Sequence, residues 1–404
     1  MRILVLVIFF LMAAFEFFLK YLTYSRRNDV IPENVKDVYD EEEYKKNQAY
    51  KMDTLKFSII ISLIGSIITL CFLLFNFHHT LYEYINKETG NFYIVSSFIF
   101  FTPLLIEGVI RKLLGIYDTF VIEKRYGFNK TTPKTYILDT VKTLIIAIVV
   151  AGGLFLLFLL LFNTIGNWMF VVFFFVLIVL QLFAAFISPL LIRIFYKLTP
   201  LEDGELKDRV LSLAGETGFR IKGIYSVNAS KRSTKLNAFA TGFGKTKTIG
   251  LFDTLIEKMT IDEIIAVLAH EIGHAKKRHI LKRAPLSLLV TGILLTAAYF
   301  IITLPEASLA FGFADVNIAF GLFIVVLLIS PLLVLLSIPS NVISRKHEYE
   351  ADTFAKKCSG KEAIESALKK LYQENLGNLT PHPFVVMIEY SHPPLSQRIS
   401  ALDE

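Results

Sequence analysis

The sequence contains only two cysteines among its 404 residues. Cys71 lies in an apolar run and Cys358 in a distant polar segment, so no disulfide framework is predicted. Charged residues are also scarce, at 19%, whereas hydrophobic residues make up 54%. A chain this apolar, with a mean hydropathy of +0.54, differs from one or two ordinary soluble domains. The composition predicts a protein that crosses a membrane several times.

Seven apolar runs are each close to the roughly 20 residues that an α-helix needs to cross a bilayer. The first run is also compatible with a secretory signal peptide, but it contains Glu16, continues apolar to Leu22 and shows no convincing small-residue cleavage site. We therefore interpret it as a retained span. Only a short turn, Asn163–Asn167, separates the fourth and fifth runs. The runs cover residues 3–19, 57–77, 92–110, 143–163, 168–195, 284–304 and 316–340.

The distribution of Lys and Arg orients these spans. The connection Lys20–Lys56 contains eight of them and Arg111–Lys134 contains six, whereas Phe77–Asn91 contains only Lys87. Basic loops lie on the cytoplasmic side, so the N-terminus is expected outside and the C-terminus inside. This topology explains the net charge of +6 without a nucleic-acid partner.

The chain is accordingly expected to be an α-helical integral membrane protein with a cytoplasmic unit of helices and a small β-sheet packed on its seven spans. Its predicted segments are 1–195 with spans one to five, 196–283 in the cytoplasm, 284–340 with spans six and seven, and 341–404 in the cytoplasm.

Residues 196–283 have the pattern of a small folded unit. Leu206–Thr217 has helical spacing, and three short β-favouring runs follow at Ile224–Val227, Ala238–Phe243 and Thr248–Leu251. These runs predict a small antiparallel sheet. The pattern Thr260–Glu263 then predicts a capping box at the start of a strongly apolar helix.

This helix carries the segment His270–His274, which has the pattern H-E-x-x-H. Residues four apart on an α-helix share one face, so both imidazoles can reach one metal ion. Glu271 can then face the reacting water instead of the metal, as in a hydrolytic zinc site. A short basic stretch and the sixth span follow, which predicts a site close to the cytoplasmic membrane face.

A hydrolytic zinc site needs a third protein ligand. The best candidates lie after the seventh span, where Glu348 and Asp352 are four residues apart on a predicted helix. One of them can bind the metal while the other accepts a hydrogen bond from a ligating imidazole. His347 is a competing ligand and Glu350 a weaker one. Taken singly, each of these residues fits a solvated, charged helix better than a metal site.

A third feature is the segment Ser391–Arg398, in which two prolines follow His392. An imidazole held rigidly there can donate a hydrogen bond to a developing oxyanion. By itself the segment is more typical of a helix start than of a catalytic histidine. His382 has a similar setting without motif support, and the adjacent pair His78 and His79 is expected on the opposite side of the membrane.

In order and character these segments resemble the Ste24 CAAX prenyl protease family of integral-membrane zinc metalloproteases. The likeness extends over almost the whole chain. It rests on His270–His274, Ser344–Asp352, Ser391–Arg398, Tyr117–Phe120, Glu123, Gly127–Lys130, Asn237–Phe239 and Leu251–Leu255.

The resemblance implies a role for each matching residue. It implies that one zinc ion per chain is bound by His270, His274 and Glu348, which selects Glu348 over His347. It further implies that Glu271 is the general base, that His392 stabilises the transition state and that Asp352 supports a ligand. Arg398 would shape the site, and the edge formed by Asn237, Ala238 and Phe239 would bind an extended peptide.

The resemblance implies that the substrate is a protein or peptide that ends in a prenylated cysteine followed by three further residues. Membrane lipids are the other expected partners. The compact chain favours a bacterial inner membrane, with the endoplasmic reticulum as the location in a eukaryote. An HtpX-like role in membrane-protein quality control is an alternative within the enzymes. A transporter or scaffold with a structural zinc site is a weaker one, because such sites favour four ligands rich in cysteine.

Overall fold

The computed structural model describes residues 1–241 and 247–404, apart from the side chains of residues 185, 186 and 189, and it is mostly helical. The helices of the first half are α1 (Arg2–Ser25), α2 (Glu41–Leu74), α3 (Phe77–Thr89), α4 (Phe92–Tyr117), α5 (Glu123–Arg125), α6 (Pro133–Ala147), α7 (Gly153–Ile165) and α8 (Met169–Phe195). Those of the second half are α9 (Glu205–Glu216), α10 (Asp253–Lys258), α11 (Ile261–Lys276), α12 (His279–Thr303), α13 (Pro305–Leu309), α14 (Ile318–Leu328), α15 (Ser330–Ser359), α16 (Lys361–Glu374), α17 (Pro383–Glu389) and α18 (Leu395–Asp403). The strands are β1 (Leu198–Pro200), β2 (Gly223–Val227), β3 (Ala238–Thr241) and β4 (Thr248–Phe252).

Within the described residues, five helices are long and apolar enough to cross a membrane, or six if the bent pair α14 and α15 is one span. The helices α6, α7 and α8 follow one another with hardly any interruption, and their residues up to Ala184 already number 52. A straight helix of that length would measure about 78 Å, far more than the roughly 30 Å of a bilayer core. Each predicted apolar run is helical over most of its length.

The long stretch Pro133–Ala184 is a helical hairpin. Gly166 has a φ angle of 57°, which breaks the helix between α7 and α8. The Lys142 Nζ atom donates a hydrogen bond to the Ile194 carbonyl oxygen at 2.8 Å, although 52 positions separate these residues. The two limbs therefore run antiparallel, and the predicted turn at Asn163–Asn167 is confirmed.

The seventh predicted run is broken. α14 and α15 meet at a bend of 51° around Ile329, so residues 316–340 do not form one straight helix. α15 then continues beyond the apolar run to Ser359. One rigid helix thus connects the last apolar run to the residues predicted to complete the metal site.

The sheet corrects the prediction of an antiparallel arrangement. Its order is β1-β2-β4-β3, and β2 pairs with β4 in parallel, whereas the β1–β2 and β3–β4 pairs are antiparallel. β4 returns antiparallel to β3 and pairs with β2 on its other side, which leaves β3 at an edge. The predicted strand Ala238–Phe243 is described only as far as Thr241. β1 was missed because it has only three residues, one of them Pro200.

The sheet, α11 and the C-terminal helices share one hydrophobic core. Ile249 and Leu251 of β4 are fully buried, as is Leu268 of α11. The core also includes Val35, from the connection between α1 and α2. α11 begins as predicted, because the Thr260 side chain accepts a hydrogen bond from the backbone N–H of Glu263 in a reciprocal capping box.

The segment Tyr117–Lys130 ties the sheet to the membrane helices. Asn129 forms an isolated β-bridge with Ser233, and the backbone N–H of Lys130 donates to the Arg232 carbonyl oxygen at 3.0 Å. The Arg232 guanidinium also contacts Asp139 of α6 with two hydrogen bonds of 2.8 and 3.0 Å. These contacts hold the chain that leads into β3.

Candidate metal centre

Three side chains from two helices converge beside β3. The Nε2 atoms of His270 and His274 lie 3.1 Å apart, and they lie 3.4 and 3.3 Å from the two carboxylate oxygens of Glu348. All the candidate ligand atoms lie within 4.8 Å of one another, and the described residues contain no other such group of three. Glu348 is buried, and its Oε2 atom has no hydrogen-bond partner in the described part of the chain. A carboxylate oxygen facing two imidazole nitrogens fits a bound cation.

Gly273 allows α11 and α15 to approach closely enough to form this group. A Cβ atom at Gly273 would lie 3.2 Å from the Cα atom of Ala351 and 3.2 Å from the Cβ atom of Phe354. The histidines on either side of this glycine therefore face Glu348, which lies one turn before Ala351.

His270 is oriented from behind by a buried ion pair. Its Nδ1 atom lies 2.8 Å from Asp352 Oδ1, and Arg398 donates to both carboxylate oxygens of Asp352 at 2.8 and 2.5 Å. Burial lowers the pKa of His270, but the nearby carboxylates of Asp352 and Glu348 raise it to about 9. These carboxylates therefore stabilise positive charge at this position, whether a proton or a metal cation carries it. Arg398 lies behind the ligands and contacts Asp352 directly.

His274 has a different partner, which sequence reasoning missed. Its Nδ1 atom lies 2.9 Å from Nδ1 of His279, and His279 Nε2 lies 3.2 Å from Glu350 Oε2. In the sequence His279 belongs to a basic stretch before the sixth span, and no familiar spacing marks it. Only the turn between α11 and α12 brings it back against His274.

His347, the competing third ligand, lies outside the group. Its side chain is buried, and its ring stacks on His279 with centroids 4.0 Å apart and an interplanar angle of 4°. Neighbouring positions on a helix point about 100° apart, so His347 and Glu348 cannot both face the same metal. The geometry favours Glu348.

His392 reaches the same carboxylate from the C-terminal segment. Its Nε2 atom lies 3.5 Å from Glu348 Oε1, and its Nδ1 atom lies 3.0 Å from Ser391 Oγ. The side chain is 64% exposed, so one face remains open to a ligand. His392 also lies shortly before Leu395, the first residue of α18. It therefore lies both before a helix start and close to the metal site.

A cavity of about 280 Å³ opens onto the group. Glu271, His274 and Glu348 line one part of it, and Ala240 and Thr241 of β3 line another. An extended chain in this cavity would lie against the edge strand.

Of the three predicted peptide-binding residues, Asn237 directly precedes the edge strand, and Ala238 and Phe239 are its first two residues. Asn237 Oδ1 accepts a hydrogen bond from the Ala238 N–H at 2.9 Å. Phe239 covers Gly250 so closely that a Cβ atom there would lie 2.2 Å from the ring. Ala240 and Thr241, which line the cavity, were not predicted.

The donor set fits zinc among the common protein metals. Two imidazole nitrogens and one carboxylate oxygen are the three protein ligands of many catalytic zinc sites, which leave a fourth position open. Carboxylate-rich sites with six or more oxygen ligands suit calcium and magnesium instead.

Comparisons with known proteins agree with this geometry. Residues 20–197 match the family described as the CAAX prenyl protease N-terminal region with five membrane helices, and residues 200–404 match peptidase family M48. The chain is 34% identical to CAAX prenyl protease 1 of Saccharomyces cerevisiae, over 96% of this chain and 92% of the relative. It is 30% identical to the CAAX prenyl protease 1 homolog of Homo sapiens, over 92% and 88% of the two chains. The crystal structure of S. mikatae Ste24p superposes with a TM-score of 0.93 at 31% identity, covering 100% of this chain and 99% of that one.

Together, the apolar helices, the matched families and the His270–His274 motif define a multi-pass membrane metalloprotease. The chain belongs to peptidase family M48, and the resemblance to its Ste24-type members is confirmed.

Proposed function

We propose that this protein is a zinc endopeptidase that removes C-terminal residues from prenylated CAAX-type proteins. The observation that carries the proposal is the convergence of His270, His274 and Glu348 at a cavity lined by an edge strand. The relatives named CAAX prenyl protease 1 support the choice of substrate, since they align over nearly their whole length.

We assign one zinc ion to each chain, with His270, His274 and Glu348 as its ligands. When bound, zinc supplies the Lewis acidity that activates water and polarises the scissile carbonyl group. Asp352 accepts a hydrogen bond from His270 and so keeps the other ring nitrogen available for the metal. Arg398 holds Asp352 in place, and we therefore give it a positioning role behind the site.

The chemistry falls to two further side chains. Glu271 follows the first ligand and lines the cavity, where it accepts a proton from the attacking water and later delivers it to the leaving amine. His392 donates a hydrogen bond to the oxyanion that develops on the carbonyl carbon. Its exposed face beside Glu348 supports this assignment.

The peptide is proposed to lie along β3 in extended form. β3 is at the edge of the described sheet, so its outer main-chain groups can pair with a substrate strand. Asn237, Ala238 and Phe239 define the start of this edge, and Ala240 and Thr241 carry it into the cavity. α12 begins at His279, five residues after the second ligand, so a lipid attached to the substrate can remain close to the bilayer.

We further propose seven spans and an active site on the cytoplasmic side. The two limbs of the hairpin α6 to α8 and the bent pair α14–α15 support that number. In this topology the segments 196–283 and 341–404 meet on one side of the membrane and segments 1–195 and 284–340 contain the spans. Eukaryotic relatives support the endoplasmic reticulum, whereas the compact chain favours a bacterial inner membrane.

The alternative role in quality control of membrane proteins has less support. The compact chain favours this role, but the relatives that align over most of their length are named as CAAX prenyl proteases. A non-enzymatic scaffold conflicts with membership of a peptidase family.

The purified full chain should contain one zinc per molecule and should cleave a farnesylated CAAX peptide faster than the same peptide without the lipid. Mass spectrometry of the products identifies the cleaved bond, and elemental analysis counts the metal. Cleavage of an unfolded membrane protein together with an intact CAAX peptide would favour the quality-control role. Zinc without any peptidase activity would favour a scaffold.

A further inference from the structure

The second imidazole of the motif depends on a histidine outside the motif. His274 Nδ1 lies 2.9 Å from His279 Nδ1, a distance that requires one nitrogen to donate and the other to accept. His279 Nε2 lies 3.2 Å from Glu350 Oε2. The Lys282 ammonium group contacts the same Glu350 oxygen at 3.1 Å. These contacts form a chain that begins at a metal-site residue and ends at a salt bridge.

The position of His274 determines which ring nitrogen atoms carry the protons along this chain. Its Nε2 atom faces His270 Nε2 at 3.1 Å and Glu348 at 3.3 Å, so this nitrogen must present a lone pair if a metal binds there. The proton of His274 is then on Nδ1, and His279 Nδ1 accepts it. His279 carries its own proton on Nε2, from which it donates to the Glu350 carboxylate.

Packing fixes the ring of His279 in the orientation that this placement of protons requires. The side chain is 4% exposed, and the parallel ring of His347 covers one of its faces with the two ring centroids 4.0 Å apart. His279 is the first residue of α12, and the preceding Arg278 has a left-handed φ of 55°. That turn returns the chain so that His279 faces the end of α11. Glu350 projects from α15, two residues after Glu348.

We infer that His279 is a positioning residue that fixes the tautomer and orientation of His274 through the chain His274–His279–Glu350. The inference rests on the proposed zinc site. The two imidazole ligands then differ in the partner of their Nδ1 atom. His270 is supported by the carboxylate of Asp352, whereas His274 is supported by a second imidazole. Without an acceptor at position 279, His274 can place its proton on Nε2, where that proton would face the metal. Loss of an outer hydrogen-bond partner typically costs about 10- to 100-fold in metal affinity.

The test compares His279→Leu with His279→Gln in the full chain in detergent. Leucine has no acceptor, whereas glutamine has a side-chain carbonyl oxygen that can accept from His274. His78→Leu is the matched control, because His78 is also buried, at 2% exposure, but packs against Phe323 with ring centroids 4.1 Å apart, away from the metal site. Zinc affinity is measured by competition with a chromophoric chelator.

We expect His279→Leu to lower zinc affinity by about 10- to 100-fold, and His279→Gln and His78→Leu to stay within about threefold of wild type. In cobalt-substituted protein, His279→Leu should also shift the visible absorption bands, and His279→Gln should restore them. Wild-type affinity in His279→Leu would overturn the inference, as would an equal loss in His279→Gln. If His279→Leu does not fold, the cobalt spectrum of His279→Gln decides, since bands unlike those of wild type would contradict the inference. Peptide cleavage by the wild type tests the proposed function separately, because zinc affinity does not depend on the identity of the substrate.

Discussion

Gly273 of α11 faces Ala351 of α15 so closely that a Cβ atom on the glycine would lie 3.2 Å from the Ala351 Cα atom. This approach joins the helix of the two histidines to the helix of Glu348. The glycine in the middle of the motif is therefore a packing requirement of the metal centre. A methyl group there would press on the Ala351 main chain and, at the same distance, on the Phe354 side chain, so α11 and α15 must move apart by a few tenths of an ångström.

Gly273→Ala is expected to reduce zinc affinity and to destabilise the protein by about 1–3 kcal/mol through overpacking. Gly215→Ala in α9 is the control, since a Cβ atom there meets nothing within 4 Å. It should leave zinc affinity unchanged, and alanine is intrinsically the better helix former. Thermal unfolding and zinc titration of both variants provide the measurement. Equal behaviour of the two variants would show that the approach of the helices is not limiting.

Glu271→Gln should abolish cleavage of the farnesylated peptide while zinc content stays near that of wild type. The reason is that the residue is proposed to take a proton from water without binding the metal. Glu257→Gln, on the exposed end of α10, is the control and should retain activity. Elemental analysis and a peptide assay on the same preparations separate the two effects. A Glu271→Gln protein that has lost its zinc would assign this residue to the metal.

Glu348→Ala should lose both zinc and activity, whereas His347→Ala should keep most of each. Only Glu348 faces the two imidazoles, while His347 stacks on His279. Zinc affinity and peptide cleavage are measured for each variant. The opposite result would make His347 the third ligand and would require α15 to be rotated by about 100°.

Arg398→Met is expected to destabilise the protein by about 3–5 kcal/mol, because it leaves the buried carboxylate of Asp352 without its cation. The exposed pair of Arg209 and Asp262 offers the control, and Arg209→Met should cost less than about 1 kcal/mol. Chemical unfolding followed by fluorescence measures both variants. A small effect of Arg398→Met would show that His270 or water compensates the charge of Asp352.

The topology can be tested with single cysteines on a background lacking Cys71 and Cys358. Cysteines at Glu202 and Glu404 should resist a membrane-impermeant thiol reagent in intact cells, whereas one at Glu306 should react. The expectation follows from the basic loops and from the need for His270 and Glu348 to meet on one side. Permeabilised cells, in which all three should react, control for exposure. Labelling from outside of the cysteines that replace Glu202 and Glu404 would exclude a cytoplasmic active site.

Features that depend on near neighbours in the chain could be predicted from the sequence. The apolar runs are helical over most of their length, and α11 begins with the predicted capping box at Thr260 and Glu263. The spacing of His270 and His274 was sufficient to place both on one face, because the period of the helix is constant. Spacing left the choice between His347 and Glu348 open until the family resemblance selected the glutamate.

Features that depend on contacts between distant segments were decided by the tertiary structure. The parallel pairing of β2 with β4 depends on where β3 lies, and two different pairings can bury the same alternating side chains. The break near Ile329 falls within a continuous apolar run and is marked by Pro331 at the start of α15, although Pro339 lies inside the same helix without ending it. The connection between α1 and α2 is polar in sequence, yet Val35 belongs to the core of the sheet and the C-terminal helices.

The hydrogen-bond partners of the two imidazoles also differ in how far the sequence predicts them. The sequence by itself placed Asp352 four residues after Glu348, where helical spacing makes it a natural partner for a ligand. His279 carries no such pattern, since its contact with His274 depends on the turn at Arg278 and on Glu350 from another helix. Helical periodicity is encoded locally, so the sequence determined which residues share a face. The choice of partners across helices depends on how whole elements pack, which only the folded chain decides.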